Sequence, residues 1–392
     1  MNRFFDVVNF NADASCLETE AWFAALSGGD DSLFCQWLKL YVKYESRVSL
    51  GLTGATVADL LHCNPEAVQY INAHPEFFQI ILRPFAHDIP TLRSRKGFIY
   101  NYLLGRRVIE HAFGAASPYY LPPEFMLTSE QVKLLSDNGV THTFISPERF
   151  PEFQRDIIPS NPYTLKGIFE SNLTCIPILA PLTKAYLASS QLYDSRIWQS
   201  ALLLHDREDI FFWRDGESFL LVPDGIAREE FWLRNDNSRQ KRCFLENVNS
   251  VKPPHEKFID HCPMSSFTAW MKEFRMLGFL SRLADLEKFA LNEDSLTIHM
   301  LWLHLITSDI LAAVEKPSPT IMISSKEGAP PINYTIRRAP KSLEAEEHMY
   351  LLDNFRLGET PKRLPSQETV LLRKTHSRLA SLLQCGISDH AI

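Results

Sequence analysis

Chemistry-bearing side chains in this 392-residue chain collect at the ends of apolar, β-rich runs. Asn9, Asn11 and Asp13 close a run that starts at Phe4; Arg83 and His87 follow Phe77–Leu82; Glu124 follows Ser117–Leu121; Trp213 and Asp215 sit inside Ile210–Val222. Glu124 and Asp215 are carboxylates able to transfer protons or attack an electrophilic carbon. Arg83 beside His87 favours an anionic or hydroxyl-rich ligand. Plainer roles compete. Glu124 could cap a helix beginning near Thr128, although Pro122-Pro123 forces an extended approach that favours a rigid strand end. Phe211, Trp213 and Phe219, Leu221 flank Asp215-Gly216, and an Asp-Gly pair between β-rich runs is the signal of a type I′ hairpin, whose tip would leave Asp215 in solvent. Glu217 and Asp224 are further carboxylates of the same stretch.

The elements that must position these groups alternate. Strands are expected at Phe4–Phe10, Arg47–Leu52, Phe77–Leu82, Ser117–Leu121, His142–Ile145, Cys175–Leu179 and from Ile210, with helical patterns between them. That order implies a parallel sheet or barrel, and in β/α barrels the C-terminal strand ends form the rim where active sites are built. After Ser266 the pattern becomes helical. Trp270, Phe274, Leu277, Leu280 and Ala284 recur as an amphipathic stripe, and a second long helix is expected over Leu296–Val314 before Pro317-Ser318-Pro319 stops it. An extended connection over Lys326–Pro340 and helices near Leu343–Phe355 and Gln367–Leu383 follow.

Composition narrows the classes. A formal net charge of −7, with basic residues scattered among acidic ones, offers no footprint for nucleic acid. Seven cysteines without a CxxC pair read as reduced thiols. Asp6 breaks the apolar run that a signal peptide needs, and His299, His304, Ser308 and Asp309 interrupt the longest apolar stretch. The expected location is the cytoplasm, with no membrane partner.

The stretch from His74-Pro75-Glu76 through Arg83-Pro84-Phe85-Ala86-His87, Phe113-Gly114, Tyr119-Tyr120-Leu121-Pro122-Pro123-Glu124 and Leu135-Ser136-Asp137-Asn138-Gly139-Val140 resembles the middle of glycoside hydrolase family 57. That family shares its incomplete β/α barrel with the polysaccharide deacetylases, and the resemblance covers roughly residues 45–150. It implies an incomplete (β/α)7-type barrel over residues 1–250. A helical bundle segment over 251–316 would pack on it, and 317–392 would hold the extended connection and C-terminal helices. It implies a carbohydrate substrate or ligand, with Glu124 on the catalytic nucleophile. Trp213-Arg214-Asp215-Gly216-Glu217 resembles the family's fourth motif, which puts Asp215 on the acid/base. Ser308-Asp309 resembles its helical-domain motif. Where the family carries histidines on the first strand, this chain has Asn9-Phe10-Asn11-Ala12-Asp13. Asparagines can hydrogen-bond sugar hydroxyls. Trp22, Tyr119, Tyr120 and Trp213 could stack on sugar faces, or lie in the core.

The resemblance thus implies a retaining α-glucan hydrolase or transglycosylase, or alternatively a lapsed barrel that binds carbohydrate or acts as a scaffold. A sugar deacetylase is a third reading. Deacetylases hold a metal with Asp and His-xxx-His, and Arg83 stands where the first of those histidines would be. No metal and no cofactor are therefore expected. His255, Asp260, His261 and Cys262 match no zinc spacing and are read as turn and core residues.

Overall fold

In the computed structural model, residues 3–12, 16–147, 161–204, 209–238, 241–246, 248, 274–307 and 368–387 are described. Their strands are β1 (Arg3–Phe10), β2 (Val48–Leu52), β3 (Phe78–Leu82), β4 (Ser117–Tyr120), β5 (His142–Ile145), β6 (Tyr163–Lys166), β7 (Asn172–Pro177) and β8 (Asp209–Asp215). One sheet runs β6-β7-β5-β4-β3-β2-β1-β8. Every neighbouring pair is parallel except β6–β7. The seven parallel strands match the incomplete (β/α)7-type barrel. Its free ends approach without forming a ladder: the Leu179 N–H donates to the Phe211 carbonyl at 3.0 Å, and the Thr183 hydroxyl to the Trp213 carbonyl at 2.6 Å.

Period-two alternation sorts the strand residues. Phe5, Val7, Ile81, Tyr119, Phe144, Ile176 and Phe211 share an inner cluster, whereas Phe4, Val8, Phe10, Leu50, Ile80 and Phe212 pack outward against helices. The inward phase continues to the strand ends at Asn9, Arg83, Trp213 and Asp215. Leu245 and Val248 close the opposite end of the barrel, where the Leu245 N–H donates to Gln79 Oε1 at 2.9 Å and His142 Nε2 lies 2.9 Å from the Val248 carbonyl.

Helix starts follow from polar caps that accept otherwise orphaned N–H groups. Thr53 caps Gly54–Cys63, Ser94 caps Arg95–Phe113, and Thr128 with Gln131 forms a capping box on Ser129–Asp137. The last of these corrects one expectation: Glu124 does not cap the helix. Past the barrel, helices Phe274–Ala290, Leu296–Leu305 and Glu368–Gln384 join the same hydrophobic cluster as the outer barrel helices. The first of them buries Leu283, Leu286, Glu287 and Ala290 and packs Leu280 against the core, but it exposes Ala284, which the expected stripe had included. Leu296–Leu305 is buried on almost every side, and Tyr100 OH lies 2.7 Å from His299 Nδ1. It stops well before Val314. The backbone of Thr307 leaves the helix to form a β-bridge with Asp88. Among the described residues no helix is long and apolar enough to cross a membrane.

Two more readings need correction. Asp215-Gly216 is not a hairpin tip, because β8 ends at Asp215 and residues 217–220 form a turn of helix. An antiparallel strand, β6, was not expected; it pairs with β7 through the turn at Gly167–Ser171.

Candidate functional site

β1 and β8 are paired in register as far as Asn9 and Asp215. Because both residues carry the inward phase, their side chains meet: Asn9 Nδ2 donates to Asp215 Oδ1 at 2.7 Å and to Asn11 Oδ1 at 3.0 Å. The chain then turns through Gly216, whose N–H donates to the Asn9 carbonyl at 2.8 Å. A Cβ there would stand 2.2 Å from the Phe10 ring, so only glycine lets β8 close this tightly on β1. The Asp-Gly pair is real, but its glycine serves a strand-end crossing.

The residue before Asp215 anchors it from the other side of the sheet. Arg214 is fully buried and donates to both Glu229 oxygens at 2.8 and 2.9 Å, to Asp6 at 3.1 and 3.2 Å, and to Tyr41. Arg242 bridges Asp6 at 2.8 Å and Asp236 at 2.7 Å. Burial pushes the Tyr41 and Tyr186 hydroxyls well above the ordinary phenol range, which keeps them neutral donors toward this network. Charges so deeply placed persist only when paired. β8 is therefore pinned one residue before its terminal carboxylate.

Across the rim, the turn Arg83–His87 is held by backbone contacts. Phe85 N–H donates to the Asn101 carbonyl at 2.9 Å, Ala86 N–H to Asn101 Oδ1 at 2.7 Å, and Gly54 N–H to the Pro84 carbonyl at 3.0 Å. Gly105 lets the helix Arg95–Phe113 press on this turn, since a Cβ there would meet Pro84 and Phe85 backbone atoms at 2.4 Å. Arg83 is buried inside the barrel, with Cδ 3.5 Å from where a Cβ on Gly51 would sit. His87 Nε2 lies 3.7 Å from Glu124 Oε1, and those side chains are 12% and 13% exposed, enough to meet a ligand.

Glu124 and Phe125 both take left-handed backbone conformations, φ 52° and 55°. For non-glycine residues that costs on the order of 1–3 kcal/mol each, and such strain clusters at functional sites. The strained turn places the Phe125 ring against Trp213 in a T-shaped contact with centroids 5.2 Å apart. The segment bearing Glu124 thus touches the strand bearing Asp215.

Other candidates separate. Trp22, Tyr119 and Tyr120 are buried in the core, Tyr119 stacked on His142 near the closed end, whereas Trp213 is only partly buried. Asp224 is exposed before the helix Gly225–Asn235. The Glu217 side chain and Asp13, His255, Asp260, His261, Cys262, Ser308 and Asp309 lie outside the described residues. Phe125 and Arg214 were not singled out in the sequence. Arg214 has the period-two phase opposite to Trp213 and Asp215, which could have marked it as outward-facing.

No protein-family model matches the chain, and no curated protein matches it. Solved structures do. A 4-α-glucanotransferase from Thermococcus litoralis superposes with a TM-score of 0.62 at 11% identity, covering 91% of this chain and 60% of that one. A GH57-type branching enzyme from Pyrococcus horikoshii gives 0.61 at 10% identity over 100% and 98% of the two chains. An α-amylase from Thermotoga maritima gives 0.53 at 10% identity over 97% of each. This chain therefore spans about 60% of the glucanotransferase and nearly the whole of the other two. At such identities the likeness is one of fold.

Proposed function

We propose that the chain is a carbohydrate-active enzyme that hydrolyses or transfers α-glucan with retention, using Glu124 as nucleophile and Asp215 as acid/base. The observation that carries this reading is the Phe125–Trp213 ring contact, which ties the strand-end segments bearing the two carboxylates to each other. Retaining chemistry needs its carboxyl groups about 5–5.5 Å apart on either side of the sugar. In this reading Glu124 attacks the anomeric carbon and His87 orients it. Asp215 protonates the leaving oxygen and later activates the incoming water or hydroxyl. Asn9, Asn11 and Arg83 bind sugar hydroxyls, and Trp213 presents an aromatic face. Asp13 and Asp309 are proposed as further contacts on the strength of their sequence positions alone. The fold of the branching enzyme and glucanotransferase supports the substrate class.

The test is Glu124→Gln, assayed beside the wild type against a panel of glucans and activated glycosides. The substitution keeps shape and removes the attacking charge, so turnover should fall by several orders of magnitude while ligand affinity changes little. Undiminished turnover would remove Glu124 from the site. A second reading, a barrel that binds carbohydrate without cleaving it, draws on Asn9: its amide already donates to Asn11 and Asp215, which engages Asp215 Oδ1 as an acceptor. That reading is supported instead if wild type binds a glucan and turns over none.

A further inference from the structure

Glu287 lies on the helix Phe274–Ala290, outside the barrel in sequence, yet its carboxylate is buried against the barrel's β3–β4 connection. One oxygen accepts from Arg93 Nη1 at 2.6 Å, and the other from the Ser94 N–H at 2.9 Å. Ser94 caps the 19-residue helix Arg95–Phe113, so the negative charge also meets that helix's positive end. The fit is close. A Cβ on Gly97 would stand 2.6 Å from Glu287 Oε1, so a side chain there would displace the carboxylate.

Arg93 continues inward. Its Nε lies 3.9 Å from Asp88 Oδ2, within ion-pair reach but beyond a hydrogen bond. Asp88 is 1% exposed, follows His87 directly, and forms the β-bridge to Thr307. Asn101, which donates to Asp88, also holds the Ala86 backbone at both its N–H and its carbonyl. The helices beyond the barrel therefore grip the turn carrying His87 at two points, one a chain of buried charges and the other a backbone bridge.

We propose that Glu287, acting through Arg93 and Asp88, is a positioning residue that sets His87 against Glu124. A merely structural anchor would fix the helices to the barrel and leave His87 indifferent to the charge of Glu287. As a positioning residue it must transmit that charge, because buried Asp88 has Arg93 as its counter-ion and Arg93 divides between Asp88 and Glu287. The part concerning ligand binding rests on the proposed function; the part concerning His87 does not.

The experiment uses the full chain with isotope-labelled histidine and follows imidazole signals by NMR. His87→Gln assigns the His87 signal, and His142 at the closed end of the barrel serves as an internal control. In Glu287→Gln the His87 signals and their pH midpoint should shift beyond the linewidth while those of His142 stay put, and affinity for a bound glucan should fall about tenfold. Gly97→Ala perturbs the same carboxylate with every charged residue in place. It should shift His87 likewise, and a Gly97→Ala/Glu287→Ala pair should shift it no further than Glu287→Ala alone. An unmoved His87 in a folded Glu287→Gln or Gly97→Ala protein overturns the proposal, as does an equal shift at His142. If wild type binds no glucan, the functional reading falls and the His87 signals still decide the positioning.

Discussion

Asp88→Asn provides a test of the charge chain that can be worked through in numbers. Burial raises the Asp88 carboxyl from 3.8 to about 7, against the opposing pull of Arg93 and the Asn101 hydrogen bond, with Glu287 adding to the rise. Tyr120 faces the same carboxylate. A rise of that size is roughly a thousandfold in proton affinity, equivalent to ~4 kcal/mol at ~1.4 kcal/mol per tenfold. The sign follows from which state holds the proton more tightly. The folded protein does, so Asp88 adds stability that is complete below about pH 4 and is lost as pH rises through about 7.

Asparagine keeps the shape and the hydrogen bond with Asn101 but does not titrate. The stability of Asp88→Asn relative to wild type should therefore climb by up to ~4 kcal/mol between about pH 4 and pH 7 and level off above about pH 8. With an unfolding entropy of ~2.1 cal/mol/K per residue over this length, that is a relative gain of about 5 °C in Tm. Calorimetry of both proteins at pH 4.5, 6, 7 and 8 reads it directly. Parallel curves across that range would refute a buried carboxyl that changes charge near neutrality. Parallel curves are what an Asp88 ionised throughout, with Arg93 dominant, would give, because neither state would then exchange its proton above about pH 4.5.

The other predictions address the β1–β8 corner. Gly216→Ala should cost roughly 1–3 kcal/mol, because its methyl group would overlap the Phe10 ring; urea unfolding within about 0.5 kcal/mol of wild type would show that the strand end can relax. Arg214→Met leaves Asp6 and Glu229 buried against an apolar stem, at a cost of about 3–5 kcal/mol, and thermal melting should show it losing far more than Arg196→Met at an exposed pair. Asn9→Ala removes the donor to Asp215 and should lower stability by ~1.5–3 kcal/mol. Under the proposed function it should reduce turnover more than ligand affinity, which steady-state kinetics beside equilibrium binding would resolve.

Much of the barrel was legible because its strands are short apolar runs with clear punctuation. His142–Ile145 appears with the bounds expected, and β1, β2, β3 and β4 differ by about a residue at an end. β6 was missed because Tyr163–Lys166 is a four-residue edge strand whose polar alternation differs little from loop. The hairpin reading of Asp215-Gly216 failed for an instructive reason. The same dipeptide suits a two-residue turn and a strand end that must pass under an aromatic ring, and only the position of Phe10 decides between them. The helical stripe misplaces Ala284, because the face that carries Leu280 continues through Leu283 to Glu287, a charged residue. Nothing local marks that glutamate, since its partner Arg93 lies 194 residues away. Asn9 and Asp215 were each visible as strand-end polar residues. Their pairing required knowing that β8 closes on β1.

The central claim is that Glu124 becomes covalently bonded to substrate. Trapping with a fluorinated glycoside that carries a good leaving group, so that the adduct forms faster than water releases it, followed by peptide mapping, tests it most directly. The account predicts a single glycosyl adduct on the peptide carrying Glu124, absent from Glu124→Gln and longer-lived in Asp215→Asn, which lacks the base that releases it. An adduct on another carboxylate, or turnover with inversion and no adduct, would contradict it.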